Sequence, residues 1–151
     1  MTNTAHAVTP QQLAEHVRDS LWATDWASQA LGMAITHIAP GAATATMTVR
    51  QDMLNGHGMC HGGLVTTLAD SAFAFACNAY NELTVAAGFA MDIHLPAYEG
   101  DVLTARCTEL EKGGRLGVYD VDVRNQHGKR VATFRGRSYT ARGKPAIPAG
   151  A

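Results

Sequence analysis

Charge is scarce in this sequence. Only 17% of its 151 residues are Asp, Glu, Lys or Arg, and the net charge is −1. That balance argues against both a disordered chain and a nucleic-acid binder, each of which needs a larger charge excess. Cysteine is nearly absent. Cys60, Cys77 and Cys107 are odd in number and unpatterned in spacing, so they are expected to be free thiols in a reducing compartment. Proline occurs five times and aromatics make up 7%. No uncharged apolar run is long enough to span a bilayer: the stretch from Met53 to Asn81 contains Asn, Gly, His and Thr. The N-terminus lacks a basic segment followed by an apolar one, so the expectation is a cytoplasmic protein without a secretory signal.

Apolar material is plentiful, at 46% of the chain. A single domain of this length needs neither a disulfide nor a metal in order to fold. Terminal segments 1–8 and 143–151 are expected to be mobile. Thr9-Pro10-Gln11-Gln12 has the form of a helix start, with Thr as cap and Gln three residues later. A short amphipathic lead-in follows, interrupted near Thr24-Asp25 and ended at Gly32. Alternating residues then predict strands at 33–39 and 43–49, joined through Pro40-Gly41. Four more strands are expected near 85–95, 101–111, 115–125 and 130–141, separated by short turns at Tyr98-Glu99-Gly100, Lys112-Gly113-Gly114 and Gln126-His127-Gly128. Residues 119–124 alternate cleanly, Tyr119, Val121 and Val123 against Asp120, Asp122 and Arg124.

Between the two groups of strands lies Leu64–Tyr80, free of Gly and Pro and rich in Ala, Leu and Phe. It predicts a long helix, charged only at Asp70. The layout is α+β, one buried helix on one antiparallel sheet. A helix apolar nearly all round needs cover on every side, and one sheet covers one side. A second copy of the same helix is expected over the rest.

Asp70 is the leading functional candidate, because an ionised carboxylate is expensive to bury without a partner. His61-Gly62-Gly63 precedes the helix, where the first N–H groups lack intrahelical acceptors and the dipole is positive. Open N–H groups there suit a carbonyl oxygen that becomes an oxyanion. Gly62 and Asp70 are eight residues apart, about 12 Å along one helix. That is too far for one reacting carbon, so a shared site requires two subunits with antiparallel helices. His57, Cys60 and His61 match no standard zinc spacing, and no metal is expected. The first hundred residues carry two arginines against eight carboxylates, the remainder ten cations against five. This asymmetry suits either two differently charged faces or an anionic ligand on the C-terminal third.

The run Met53-Leu54-Asn55-Gly56-His57-Gly58-Met59-Cys60-His61-Gly62-Gly63 followed by Leu68-Ala69-Asp70-Ser71-Ala72-Phe73-Ala74 resembles the hot-dog thioesterases, within them the PaaI-type phenylacetate-degradation branch. Gly117-Val118-Tyr119-Asp120-Val121 and Phe134-Arg135-Gly136-Arg137-Ser138 add to the likeness, which spans roughly residues 20–142. It implies a long central helix wrapped by a five- to six-stranded antiparallel sheet, a homodimer that forms the active site, and a homotetramer. It implies hydrolysis of aryl-CoA thioesters, phenylacetyl or ring-hydroxylated, with coenzyme A as part of the substrate and no separate cofactor. By the same resemblance, Asp70 attacks the thioester or activates water, Gly62 donates to the carbonyl, and Asn55 places carbonyl or water. Expected substrate contacts are His61 and Gly63, with Met53 and Phe73 at the acyl group and Lys112, Arg115, Arg135, Arg137 and Arg142 for the phosphates. Two other activities suit the same fold: a hydratase for enoyl-CoA esters, using Asp and His, and a non-catalytic acyl-CoA-binding module.

Overall fold

A computed structural model of the protein describes residues 7–149. Helix α1 (Pro10–Trp22) starts with a reciprocal cap. The Thr9 hydroxyl accepts from the Gln12 N–H at 3.1 Å, and the Gln12 side chain accepts from the Thr9 N–H at 2.9 Å. Two donors without helical partners are thereby satisfied. Asp25 caps the short α2 (Trp26–Ala30), so the expected interruption near Thr24-Asp25 is present.

Six strands follow: β1 (Ala34–Ala39), β2 (Ala42–Thr48), β3 (Thr84–Ile93), β4 (Val102–Gly113), β5 (Leu116–Arg124) and β6 (Arg130–Thr140). They form one antiparallel sheet in the order β1-β2-β4-β5-β6-β3. Helix α3 (Gly62–Asn78) joins β2 to β3, strands that three others separate. The helix therefore crosses the inner face of the sheet. On β5, Tyr119, Val121 and Val123 are buried toward it while Asp120, Asp122 and Arg124 stay partly exposed. Ala69, Ala72 and Ala76 have no exposed surface, and these short side chains seat the helix close against the strands. Phe73 fills the middle, its ring 5.3 Å from Tyr119 and 5.7 Å from Phe134. Burying one such side chain contributes about 1.5–3 kcal/mol.

Helix α3 begins and ends two residues earlier than the composition suggests, because a histidine side chain caps it and draws both glycines into the first turn. The C-terminal segment also differs from expectation. Residues 1–6 and 150–151 lie outside the described residues, but 143–149 are tied down. The Asn81 side-chain oxygen accepts from the N–H groups of Ala146 and Ile147, and Ile147 is only 5% exposed. These bonds, the Ile147 anchor and a 2.9 Å bond from the Leu83 N–H to the Lys144 carbonyl hold this segment against the turn that leads into β3.

Two features are left without cover. One helix stripe, Gly63, Thr67, Asp70 and Ala74, is partly or wholly exposed. Alongside it runs β3, an edge strand whose Val85, Phe89 and Ile93 are 54%, 47% and 51% exposed. A long apolar edge with open N–H and C=O groups is a template for strand pairing. No helix among the described residues is long and apolar enough to cross a membrane.

Candidate active site

The loop before α3 is built around Asn55. Its side-chain oxygen accepts from the His57 and Met59 N–H groups at 2.9 and 3.3 Å. Its backbone N–H donates to the Met59 carbonyl at 2.8 Å. Two donors on the side-chain oxygen fix the amide orientation and leave the NH2 group free to serve as a donor. Gly58, at φ +73°, closes the turn in a conformation that a Cβ would disfavour. The loop is pinned at both ends: His61 N–H donates to Met53 C=O, and Cys60 N–H to Ala97 C=O, each at 2.8 Å.

His61 is the helix cap. Its Nδ1 accepts from the Gly63 N–H at 3.0 Å. A Cβ on Gly63 would lie 3.1 Å from that nitrogen, and one on Gly62 would lie 2.9 Å from Ile93 Cδ1. The two glycines therefore serve different ends: Gly63 admits the cap, and Gly62 admits the end of β3. After capping, the Gly62 N–H has no hydrogen-bond partner among the described residues. With Nδ1 occupied, Nε2 is the ring nitrogen of His61 left for any proton transfer.

Gly62 and Asn55 line a cavity of about 330 Å³ with Met59, Cys60, Val65, Ile93 and the segment His94–Ala97. Its walls are largely apolar. Burial pushes the Cys60 thiol up, so it is a neutral wall rather than a nucleophile. Met53 and Phe73 do not line this cavity: both are buried in the core, Met53 beneath the loop and Phe73 against Tyr119 and Phe134. The residues in their place come from the β3–β4 connection, far away in sequence. Ile93 facing Gly62 is the contact that sequence reading missed, and no local pattern marks it.

Asp70 stands two turns up the helix, half-buried, with no hydrogen-bond or ionic partner among the described residues. Burial raises its carboxyl above the usual range. Thr66 and Thr67 turn their hydroxyls back onto the Gly62 and Gly63 carbonyls at 2.9 and 2.8 Å, leaving the helix face smooth around the acid. Within one chain Asp70 does not reach Gly62, because eight residues of helix, about 12 Å, separate them.

The basic residues divide into two groups. Lys112 is held by Glu82 at 3.1 Å, and Arg135 is bound to Asp120 through both oxygens. Arg115 donates to the Tyr139 hydroxyl at 2.8 Å. Arg137 lies over Gly88, and Arg142 is near Gly114. Arg115, Arg137 and Arg142 have no carboxylate in ion-pair range among the described residues. No three His, Cys, Asp or Glu side chains among them converge as a metal site would require.

Residues 57–132 match the model of the thioesterase superfamily. The acyl-coenzyme A thioesterase PaaI of Escherichia coli is 43% identical over 120 residues, 80% of this chain and 86% of that protein. A putative esterase of Archaeoglobus fulgidus is 33% identical, across 85% of this chain and 83% of its own length. The solved E. coli PaaI superposes with a TM-score of 0.88 at 40% identity, covering 90% of this chain and 99% of that one. The TT0310 protein of Thermus thermophilus gives 0.74 at 41% identity, covering 76% and 97%. With a capped glycine turn opening onto an apolar cavity and an acid on the helix beyond, the chain belongs to the thioesterase superfamily and is a PaaI-like thioester hydrolase of the hot-dog fold.

Proposed function

We propose that the protein hydrolyses aryl-CoA thioesters, phenylacetyl-CoA and its ring-hydroxylated forms, in a site shared by two copies of the chain. The observation that carries this reading is the pair of unpartnered groups: the Gly62 N–H at the cavity wall and Asp70 on the uncovered helix stripe. Pairing of two β3 edges about a two-fold axis covers Val85, Phe89 and Ile93 and brings two α3 stripes together in antiparallel sense. Asp70 of each copy then approaches Gly62 of the other.

The thioester carbonyl accepts from Gly62 N–H, whose position at the positive end of α3 stabilises the charge that builds on oxygen. The Asn55 NH2 group is a second donor on the same wall. From the far side, the Asp70 carboxylate either attacks the carbonyl carbon, releasing coenzyme A as thiolate and leaving an anhydride for water to open, or takes a proton from attacking water and returns it to the departing sulfur. The largely apolar wall of Met59, Val65, Ile93 and Leu95 suits an aryl group over a strongly polar one.

A thiol-release assay over phenylacetyl-, hydroxyphenylacetyl- and straight-chain CoA esters tests the substrate. Preference for the aryl esters is expected. Equal rates on all of them contradict the aryl assignment.

A further inference from the structure

One side chain narrows the space in front of the Gly62 N–H. A Cβ on Gly62 would stand 2.9 Å from Ile93 Cδ1, and among the described residues no other side chain beyond its chain neighbours lies within 4 Å of that point. Backbone geometry then holds the Ile93 methyl within about 5.4 Å of the Gly62 nitrogen. Neither partner can yield far. Gly62 is fixed in the first turn of α3 by the His61 cap. Ile93 is paired with Ala132 on β6, and the next two N–H groups, of His94 and Leu95, donate to the Val131 carbonyl at 2.8 and 3.2 Å. A β-branched side chain is also stiff at χ1. The cavity walls differ in depth. Cys60 and Val65 are 7% and 2% exposed and form the floor, whereas Ile93 and Leu95, at 51% and 40%, stand at the rim. Gly62 and Ile93 therefore make a narrow point between rim and floor.

We propose that Ile93 selects acyl groups by the substitution of their α-carbon, admitting an unbranched methylene beside the thioester and rejecting a branched one. This rests on the reading above in which the Gly62 N–H binds the thioester carbonyl. An oxygen accepting from that N–H lies about 2.9 Å from the nitrogen. The α-carbon, two bonds beyond the oxygen, is the first atom of the acyl chain to pass the Ile93 methyl on its way to the floor. Carbon contacts are favourable only from about 3.5 Å outward. A methylene passes at that separation, whereas a methyl branch directed at Ile93 meets Cδ1. The wall stands on one side of the path, so one of the two enantiomers of a branched ester carries the penalty. A single carbon misplaced in an apolar site changes acceptance by about 10- to 200-fold.

The test measures thiol release from phenylacetyl-CoA, 3-phenylpropanoyl-CoA and the separate enantiomers of 2-phenylpropanoyl-CoA. The phenylpropanoyl esters are isomers, so only the place of the added carbon differs. The parent is expected to use one 2-phenylpropanoyl enantiomer at least about tenfold less efficiently, in kcat/KM, than 3-phenylpropanoyl-CoA. Ile93→Val deletes Cδ1 and keeps a β-branched side chain that suits a strand. It should raise kcat/KM for that enantiomer about tenfold relative to phenylacetyl-CoA and leave the other enantiomer's ratio in place. Ratios within one preparation do not depend on the fraction of folded or assembled enzyme, so weaker subunit pairing cannot imitate this result. Leu95→Ala, on the same rim but not against Gly62, should leave both ratios where they are; an equal shift there overturns the assignment to Ile93. A parent that hydrolyses phenylacetyl-CoA but treats both enantiomers alike overturns this inference alone, as does an Ile93→Val variant that improves both equally or neither. A parent inactive on every one of these esters overturns the proposed function, and this inference with it.

Discussion

Replacing Gly62 by proline removes one hydrogen atom of consequence. Gly62 is the first residue of α3, the position where proline's fixed φ and missing N–H are tolerated. The residue before a proline must be extended, and His61 already is, at φ −59° and ψ 127°. No hydrogen bond among the described residues is lost, since the Gly62 N–H has no acceptor there. The new ring carbons press on Ile93 Cδ1, 2.9 Å from the Cβ position, but that is the movable end of a side chain. Restricting the unfolded chain offsets this strain by about 0.4–1 kcal/mol. Thermal stability is therefore expected to stay within a few degrees of the parent. Turnover is a different matter: losing one oxyanion donor costs about 2.7–4 kcal/mol, a fall in kcat of about 100- to 1000-fold. Thiol release from phenylacetyl-CoA and a melting curve on the same sample measure both. A folded variant with kcat within about threefold of the parent would refute the role given to this N–H.

Three further outcomes rest on the same geometry. Asp70→Asn should lower kcat by about 100- to 10,000-fold yet melt higher than the parent near neutral pH. Burial raises the Asp70 carboxyl in the folded state, so its contribution is favourable while protonated and is lost as pH rises through the raised value. The gap between variant and parent in scanning fluorimetry should accordingly widen from acid to neutral pH; a parent that melts higher than the variant at neutral pH contradicts this. Phe89→Glu, on the exposed β3 edge, should give monomers in light scattering and abolish thiol release together, and an active monomer would exclude the shared site. Tyr119→Phe removes the 2.6 Å bond to Glu109 under the end of α3 and should cost about 1.5–3 kcal/mol in urea melts with little change in kcat; a urea midpoint equal to the parent's would show that bond to be without weight.

Much of the fold is legible in the sequence because its signals are local. The Thr9 cap, the Pro40-Gly41 turn and the alternation at 119–124 each depend on neighbours within a few residues. Strand order is not local. Nothing in β3 itself announces that it pairs with β6 and ends as an edge, yet that placement exposes Phe89 and Ile93. The candidate site divides the same way. Asp70 stands out as the one charge in an apolar helix, and Gly62 through its place at the helix start. Met53 and Phe73 look like pocket residues because they are near those two in sequence, but packing assigns them to the core. Ile93, Leu95 and Pro96 reach the cavity through the sheet. His61 resembles a ligand or acid–base residue, and only the 3.0 Å bond to Gly63 reveals a cap.

Mixing two inactive proteins tests the two-copy site most directly. Subunits of Asp70→Asn and Gly62→Pro, exchanged by co-expression, form mixed dimers in which one site has both defects and the other has neither. Random pairing puts half the dimers in that state, so recovery to about a quarter of parental activity is predicted. If the mixture is no more active than its two components, Gly62 and Asp70 do not meet across two chains, and the shared site does not exist.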